Sequence, residues 1–168
     1  MSVYDSWKSQ SLCNDLPNYQ NVGKAKHRRN PIIDHWADTH ITMVKVELYK
    51  EDVQVVWMTF NAQNTDNLNW FSKKNFYQSS FTDLSPCSKT NYFSAIGQTI
   101  NARRFFINKN YGGCANDNGW FCIKERKDTC KWSQFNKYPV FMYTKNERNW
   151  TKDAVTADTL VISIAVGF

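Results

Sequence analysis

Three histidines are the residues of this chain whose chemistry comes closest to that of a catalytic or metal site. His35 and His40 are close in sequence, and His27 precedes the pair Arg28-Arg29. Zinc sites need more ligands than this, and the spacing matches no standard zinc signature. A two-histidine nuclease would need His27 as a partner and a phosphate-binding lysine, but nothing in the sequence fixes that geometry. We therefore interpret the histidines as residues of a surface loop.

Asp117, between Asn116 and Asn118, is the other group that could hold a cation. One carboxylate is too few for the usual calcium loop, so the pattern favours a turn. The chain also has no G-x-S-x-G elbow and no G-x-x-x-x-G-K-[ST] loop. The sequence thus predicts no catalytic residue, no metal site and no cofactor, and a hydrolase or nuclease is kept only as the last alternative.

The aromatic residues favour a binding function. Seven tryptophans and eight tyrosines are more than the core of a domain of 168 residues readily absorbs. Exposed aromatic faces stack on sugar rings or bases, and asparagine-rich loops add hydrogen bonds for hydroxyl groups. Trp7, Trp36 and Trp150 lie in polar, loop-like segments, and we predict that they bind ligand.

The net charge of +6 points to an acidic partner. Basic residues cluster at 24–29, 73–74, 103–104 and 124–127. Such clusters attract polyanions, although a solvated, solubilising surface is the simpler interpretation. The basic residues predicted to bind ligand are Lys26, Arg28, Arg29, Arg103 and Arg104.

The five cysteines indicate the compartment. Cys114 and Cys130 fall in turns and are the first choice for a disulfide, and Cys13 and Cys87 form a second pair by elimination. Cys122 lies within a predicted strand and is expected to be a free, buried thiol. Disulfides and the sequon at Asn149 favour a secreted, extracellular protein, while five reduced cysteines in a cytosolic protein is the alternative.

Period-2 alternation predicts an all-β fold. No apolar run is long enough to cross a membrane, and no segment keeps a helical period. We predict one antiparallel β-sandwich or jelly-roll domain over 1–168, with 1–40 as an irregular arm packed on it. Its main strands are predicted at 44–48, 53–60, 103–109, 119–125, 138–144 and 159–167, the last as an inner strand.

Three short patterns carry a resemblance to a known class of domain. They are Tyr111-Gly112-Gly113-Cys114, then Asp117 with Gly119-Trp120, then Cys130-x-Trp132. Together with islands across 41–165, they resemble an extracellular β-rich module of secreted invertebrate proteins found in adhesive, mucus or matrix proteins. The resemblance implies a Cys114–Cys130 disulfide and an aliphatic residue at the position of Cys122. It carries over no catalytic residue.

These observations predict a secreted module that binds a glycan or an acidic matrix polymer in adhesion. A self-associating structural protein of matrix or mucus, without a defined ligand, is the main alternative. Nucleic acid is not the expected partner.

Overall fold

Two antiparallel sheets pack face to face in the computed structural model, which describes residues 2–9, 27 and 29–167. The first sheet has four strands in the order β3-β2-β1-β9. These strands are β1 (Ile41–Lys50), β2 (Val53–Asn61), β3 (Phe76–Ser79) and β9 (Thr159–Val166).

The second sheet has five strands in the order β4-β5-β6-β7-β8. These strands are β4 (Tyr92–Ser94), β5 (Arg103–Asn110), β6 (Asn118–Lys124), β7 (Val140–Asn149) and β8 (Val155–Ala157). Two short α-helices, α1 (Val3–Lys8) and α2 (Trp150–Asp153), and 3₁₀ turns at Pro31–His35, Lys73–Asn75, Thr99–Asn101 and Lys131–Ser133 complete the described elements. None of the described helices is long and apolar enough to cross a membrane. The all-β sandwich predicted from the period-2 patterns is confirmed.

The main core lies between the two sheets. Val44, Val46 and Leu48 alternate along β1 and are fully buried. They face Phe60, Met58 and Val56 across the β1–β2 hairpin. The five-stranded sheet closes the core from the other side with Phe105, Ile107, Phe121 and Ile123. In β1 the polar residues Lys45 and Glu47, which lie between the core residues, point to the other face, as a strand of period 2 requires.

A second, smaller core covers the outer face of the five-stranded sheet. Phe106 and Cys122 point into it from β5 and β6, and Trp132, Met142 and Trp150 close it from loop, strand and helix. Strands β5 and β6 are therefore buried on both faces. This double burial explains why apolar residues follow one another in their sequences instead of alternating with polar ones.

Strand β9 corrects one prediction, because it is an edge strand and not an inner one. Its large residues Leu160, Ile162 and Ile164 pack against the core but stay partly exposed, while Val161 on the other face is 37% exposed. The period-2 pattern identified the two faces correctly. It could not tell an inner strand from an edge strand, because both types have the same alternation.

The N-terminal arm is more regular than predicted in its described part. Ser2 caps α1 by accepting a hydrogen bond from the Asp5 amide. Trp7 from α1, Ile33 from the first 3₁₀ turn and Trp36 just after it are buried in the main core. The described parts of the arm therefore pack on the domain through helical turns and not as an extended loop.

Candidate functional site

A closed ring of five buried side chains organises the outer face of the five-stranded sheet. The Arg103 guanidinium lies over the Trp132 ring at 4.4 Å, and Trp132 stacks on Trp150 with 5.5 Å between ring centroids. Trp150 Nε1 donates to Asn108 Oδ1 at 2.8 Å, and Asn108 Nδ2 donates to Asp117 Oδ1 at 2.8 Å. Arg103 Nη1 donates to Asp117 Oδ2 at 2.8 Å and closes the ring.

A β-bulge in β5 lets this strand supply two members of the ring. The register with β6 shifts between Arg104 and Ile107, and Phe105 has a φ of 41°. A bulge inserts one extra residue and so resets which side chains face each way. Arg103 and Asn108 consequently meet on the outer face, where Phe106 also lies under the guanidinium at 5.8 Å.

A second carboxylate completes the charge balance. Asp128 Oδ2 accepts from Arg103 Nη2 at 3.1 Å and from Lys124 Nζ at 2.9 Å. Its other oxygen accepts from the Cys130 amide and the Ser133 hydroxyl. Two buried cations thus meet two buried carboxylates, which is the condition under which buried charge is tolerated.

Burial and hydrogen bonding move the pKa values of these groups in different directions. Burial raises the pKa of Asp117, although hydrogen bonds from Asn108 and Arg103 oppose the shift. Burial acts on Asp128 in the same sense, but hydrogen bonds, led by those from Ser133 and Lys124, leave its pKa below the ordinary value. Burial lowers the pKa of Lys124.

A disulfide joins the two loops that border the ring. Cys114 and Cys130 are bonded, as predicted from their turn positions and from the resemblance. Arg103 Nη2 lies 3.3 Å from Cys130 Sγ, so the bond rests directly on the buried guanidinium. Cys122 is a free, buried thiol, also as predicted, and burial raises its pKa to about 12.

Helix α2 is tied to the same loops through the sequon. Asn149 caps the helix by accepting from the Thr151 amide, and its Nδ2 donates to the Ala115 carbonyl at 2.7 Å. Thr151 Oγ1 donates to the Cys114 carbonyl at 2.8 Å. The sequon therefore has a structural role, and a glycan on Asn149 would compete with the Nδ2 hydrogen bond.

An open cleft of about 450 Å³ lies beside the stacked indoles. This volume is within the range of roughly 300–1,000 Å³ typical of small-molecule sites. Aromatic and aliphatic side chains supply most of its lining, and Lys50 and two threonines supply the polar part. The lining residues are Lys50, Trp132, Phe135, Met142, Tyr143, Trp150, Thr151, Ala154, Val155 and Thr156. We call this feature the aromatic cleft.

Several polar groups of the aromatic cleft have spare hydrogen-bonding capacity. Lys50 pairs with Asp158 at 3.6 Å, and both side chains are substantially exposed. Tyr143 belongs to the same lining, and burial raises the pKa of its phenol. The indole Nε1 of Trp132 is buried and has no hydrogen-bond partner within the described part of the chain. An unpaired buried donor is costly, and a buried water would satisfy it.

The prediction that Trp7, Trp36 and Trp150 are exposed is wrong. Their exposed fractions are 6%, 6% and 1%. Trp7 and Trp36 pack edge to face in the main core, and their indole nitrogens donate to the Asn67 carbonyl and the Thr65 hydroxyl. Polar neighbours in sequence do not keep an indole in water when the loop itself folds over the core. Trp150 alone borders the aromatic cleft.

The basic residues predicted to bind ligand are mostly engaged within the protein. The Arg103 side chain is fully buried, and that of Arg29 is 3% exposed and bonded to Asp34. Arg104 is partly buried against Glu125 and the Tyr4 ring. These arginines are therefore paired with carboxylates inside the fold, whereas the sequence analysis assigned them to a ligand-binding surface. Lys26 and Arg28, like Lys24, lie outside the described residues.

The second predicted disulfide is wrong, because Cys87 is an exposed free thiol. Its proposed partner, Cys13, lies outside the described residues. Cys87 follows Pro86 in an exposed turn, where the Ser85 hydroxyl accepts from its amide. Elimination is a poor guide to cysteine pairing, because it assumes that only one cysteine is left unpaired.

Metal binding has no support among residues 2–9, 27 and 29–167, where no group of three His, Cys, Asp or Glu side chains is placed to hold an ion. His35 and His40 are exposed on a turn. Asp117, considered above as a calcium ligand, is instead buried against Arg103.

Sequence reasoning found Trp150 but missed most of the residues that form the aromatic cleft. Trp132 stands out only in the C-x-W pattern, whereas Phe135, Tyr143 and Lys50 carry no distinguishing signal. The usable clue is the density of aromatic residues in 132–143, a segment that runs from just after the second disulfide cysteine into a predicted strand. Lys50 reaches the cleft from the other sheet, and no local pattern could have predicted that.

Comparison with known proteins gave no match to a family model, to a curated protein or to a solved structure. The likeness to secreted invertebrate modules therefore stays a prediction. The site has to be interpreted from its own geometry.

Proposed function

We propose that this protein is a secreted, non-enzymatic binding module that recognises a hydroxyl-rich or acidic polymer, such as a glycan of an extracellular matrix, in the aromatic cleft. The observation that carries the proposal is the lining of that cleft, where the partly exposed rings of Phe135 and Tyr143 stand beside Lys50. Aromatic rings offer flat apolar faces to sugar rings, and a few polar groups fix orientation.

The polar groups favour a ligand rich in oxygen. Lys50 can pair with a carboxylate or sulfate, and the Thr156 hydroxyl can bond to hydroxyl oxygens. The net charge of +6 adds a long-range attraction for acidic polymers that salt weakens.

The extracellular location belongs to the same proposal. A disulfide buried against Arg103 suits an oxidising compartment. The role in adhesion or matrix rests further on the resemblance of the Tyr111–Trp132 region to secreted invertebrate modules.

The experiment is a glycan and matrix-polymer array probed at low and high salt with four variants. Phe135→Ala removes an aromatic face from the cleft, and Tyr77→Ala removes an exposed aromatic from the other sheet as its control. Lys50→Gln removes the cation of the cleft, and Lys74→Gln is its control. We expect Phe135→Ala to weaken binding at both salt levels and Lys50→Gln to weaken it mainly at low salt, since screening acts on charge.

Both controls should bind like the wild type. Equal binding by all four variants would reject the aromatic cleft as the site. Absence of any bound polymer would reject the function itself and leave the self-associating structural protein as the better account.

A further inference from the structure

Strand β9 forms the one long edge among the described sheets. The other three edges are short: β3 has 4 residues, β4 has 3 and β8 has 3. Strand β9 has 8 residues and pairs with β1 on one side only. Within the described part of the chain no strand pairs with its other side. A row of backbone N–H and C=O groups is therefore available there.

Strand β9 lacks the features that normally prevent edge pairing. Its sequence, TLVISIAV, contains no charge and no proline. The irregularity in its ladder with β1 comes from an extra residue in β1, between Ile41 and Met43, so β9 itself is regular. Natural proteins protect exposed edges with charges, prolines, bulges or short strands, and an unprotected edge of this kind pairs readily with another strand.

Pairing with another strand would bury more of the β9 side chains on both faces of the sheet. Leu160, Ile162 and Ile164 are only partly buried against the core. On the outer face Val161 is 37% exposed, and Met43, opposite Ala165 on β1, is 39% exposed. A neighbouring strand of the same period would cover the open sides of these residues.

The partner that best fits this edge is another β9. Antiparallel pairing about a two-fold axis at Ser163 places Ser163 against itself. It also sets Ile162 against Ile164, Val161 against Ala165 and Leu160 against Val166. No charges of like sign face each other, even though each chain carries a net charge of +6. A two-fold contact of this kind is the commonest way in which identical chains assemble.

We propose that two copies of this protein associate through β9, antiparallel, to form one continuous sheet of eight strands. The described part of each copy has a single long edge, so the assembly closes at two chains. This inference goes beyond the proposed binding function and does not depend on it, because no residue of β9 lines the aromatic cleft.

Charge substitution at the axis tests the pairing. Ser163→Glu and Ser163→Lys each place like charges opposite one another in the pair, and each should raise the dimer dissociation constant about tenfold or more. Mixing the two variants pairs Glu with Lys and should restore dimers. Gln78→Glu, on the opposite edge of the same sheet, is the matched control.

Sedimentation equilibrium over a wide concentration range supplies the readout, and thermal unfolding checks that each variant folds. Lys45 faces Ser163 on β1 and favours the Glu variant within one chain. Three results would overturn the proposal. The first is a wild type that stays monomeric at every concentration. The second is dimers unaffected by both single variants, and the third is open-ended species larger than two. Binding of a short oligosaccharide that fills a single aromatic cleft should be unchanged per chain by Ser163→Glu.

Discussion

At the scale of single residues, Arg103 connects the charge network to the aromatic cleft. It bonds to Asp117 and Asp128 and supports Trp132, which lines the cleft. A guanidinium suits this position because it is planar, so it can stack on an indole and donate in several directions at once. The same residue had been predicted to be a surface cation, since the sequence shows its charge but not its partners.

Replacing Arg103 by lysine should therefore be costly although the charge is kept. An ammonium group cannot stack flat on Trp132 while bonding to both carboxylates, so one buried group loses its partner. We expect a loss of about 2–4 kcal/mol in the free energy of unfolding, measured by urea denaturation. Arg126→Lys, at an exposed side chain that donates to the Ile100 carbonyl, should cost less than about 1 kcal/mol. Similar losses for both variants would contradict the role given to the ring.

The two carboxylates of the network should respond to acid with opposite signs. The lowered pKa of Asp128 means that its contribution to stability is present above its unfolded value of about 3.9 and is lost as pH falls through the folded value. The stability gap between wild type and Asp128→Asn should therefore shrink below about pH 4. The raised pKa of Asp117 means that the folded state takes up the proton at a higher pH than the unfolded state. The free energy of unfolding of the wild type should therefore rise relative to that of Asp117→Asn as pH falls toward about 4.

Urea unfolding of the three proteins at neutral and acid pH gives these differences directly. If the difference in free energy of unfolding between wild type and variant changes with pH in the same direction for both variants, the opposite pKa shifts given to Asp117 and Asp128 are contradicted.

At the scale of elements, the sequence predicted what local patterns control. Alternation identified the β1–β2 hairpin and both faces of β9, and turn residues located β5, β6 and the Cys114–Cys130 disulfide. Partners across the fold were not predictable. The burial of Trp7 and Trp36 depends on a helix and a turn that fold back over the core, and the edge position of β9 depends on which strands pair across the fold.

The bulge at Phe105 shows the same limit within one strand. Its sequence reads as a regular strand, and the neighbours Arg103 and Arg104 look equivalent. The extra residue sends Arg103 into the buried ring and leaves Arg104 half-buried beside Glu125. Which of two adjacent arginines is buried is therefore decided by a backbone irregularity, and only the structure reveals it.

At the scale of the whole molecule, two hydrophobic cores lie on opposite faces of the five-stranded sheet and have different roles. The main core between the sheets stabilises the sandwich, and the outer core holds Trp132 and Trp150 beside the aromatic cleft. Pairing through β9 would join two such clefts in one assembly. Two linked sites on a repeating polymer bind more tightly than one, without any new contact.

The central claim is that ligand enters the aromatic cleft, and the indole N–H signals of the seven tryptophans test it most directly. An oligosaccharide that scores positive on the array is titrated into labelled protein, with a negative one as control, and Trp132→Phe assigns the signal of interest. The account predicts that the Trp132 signal moves in a saturable way while those of Trp7, Trp36 and Trp70, buried in the main core, stay in place. A Trp132 signal that stays unchanged at saturation would contradict it.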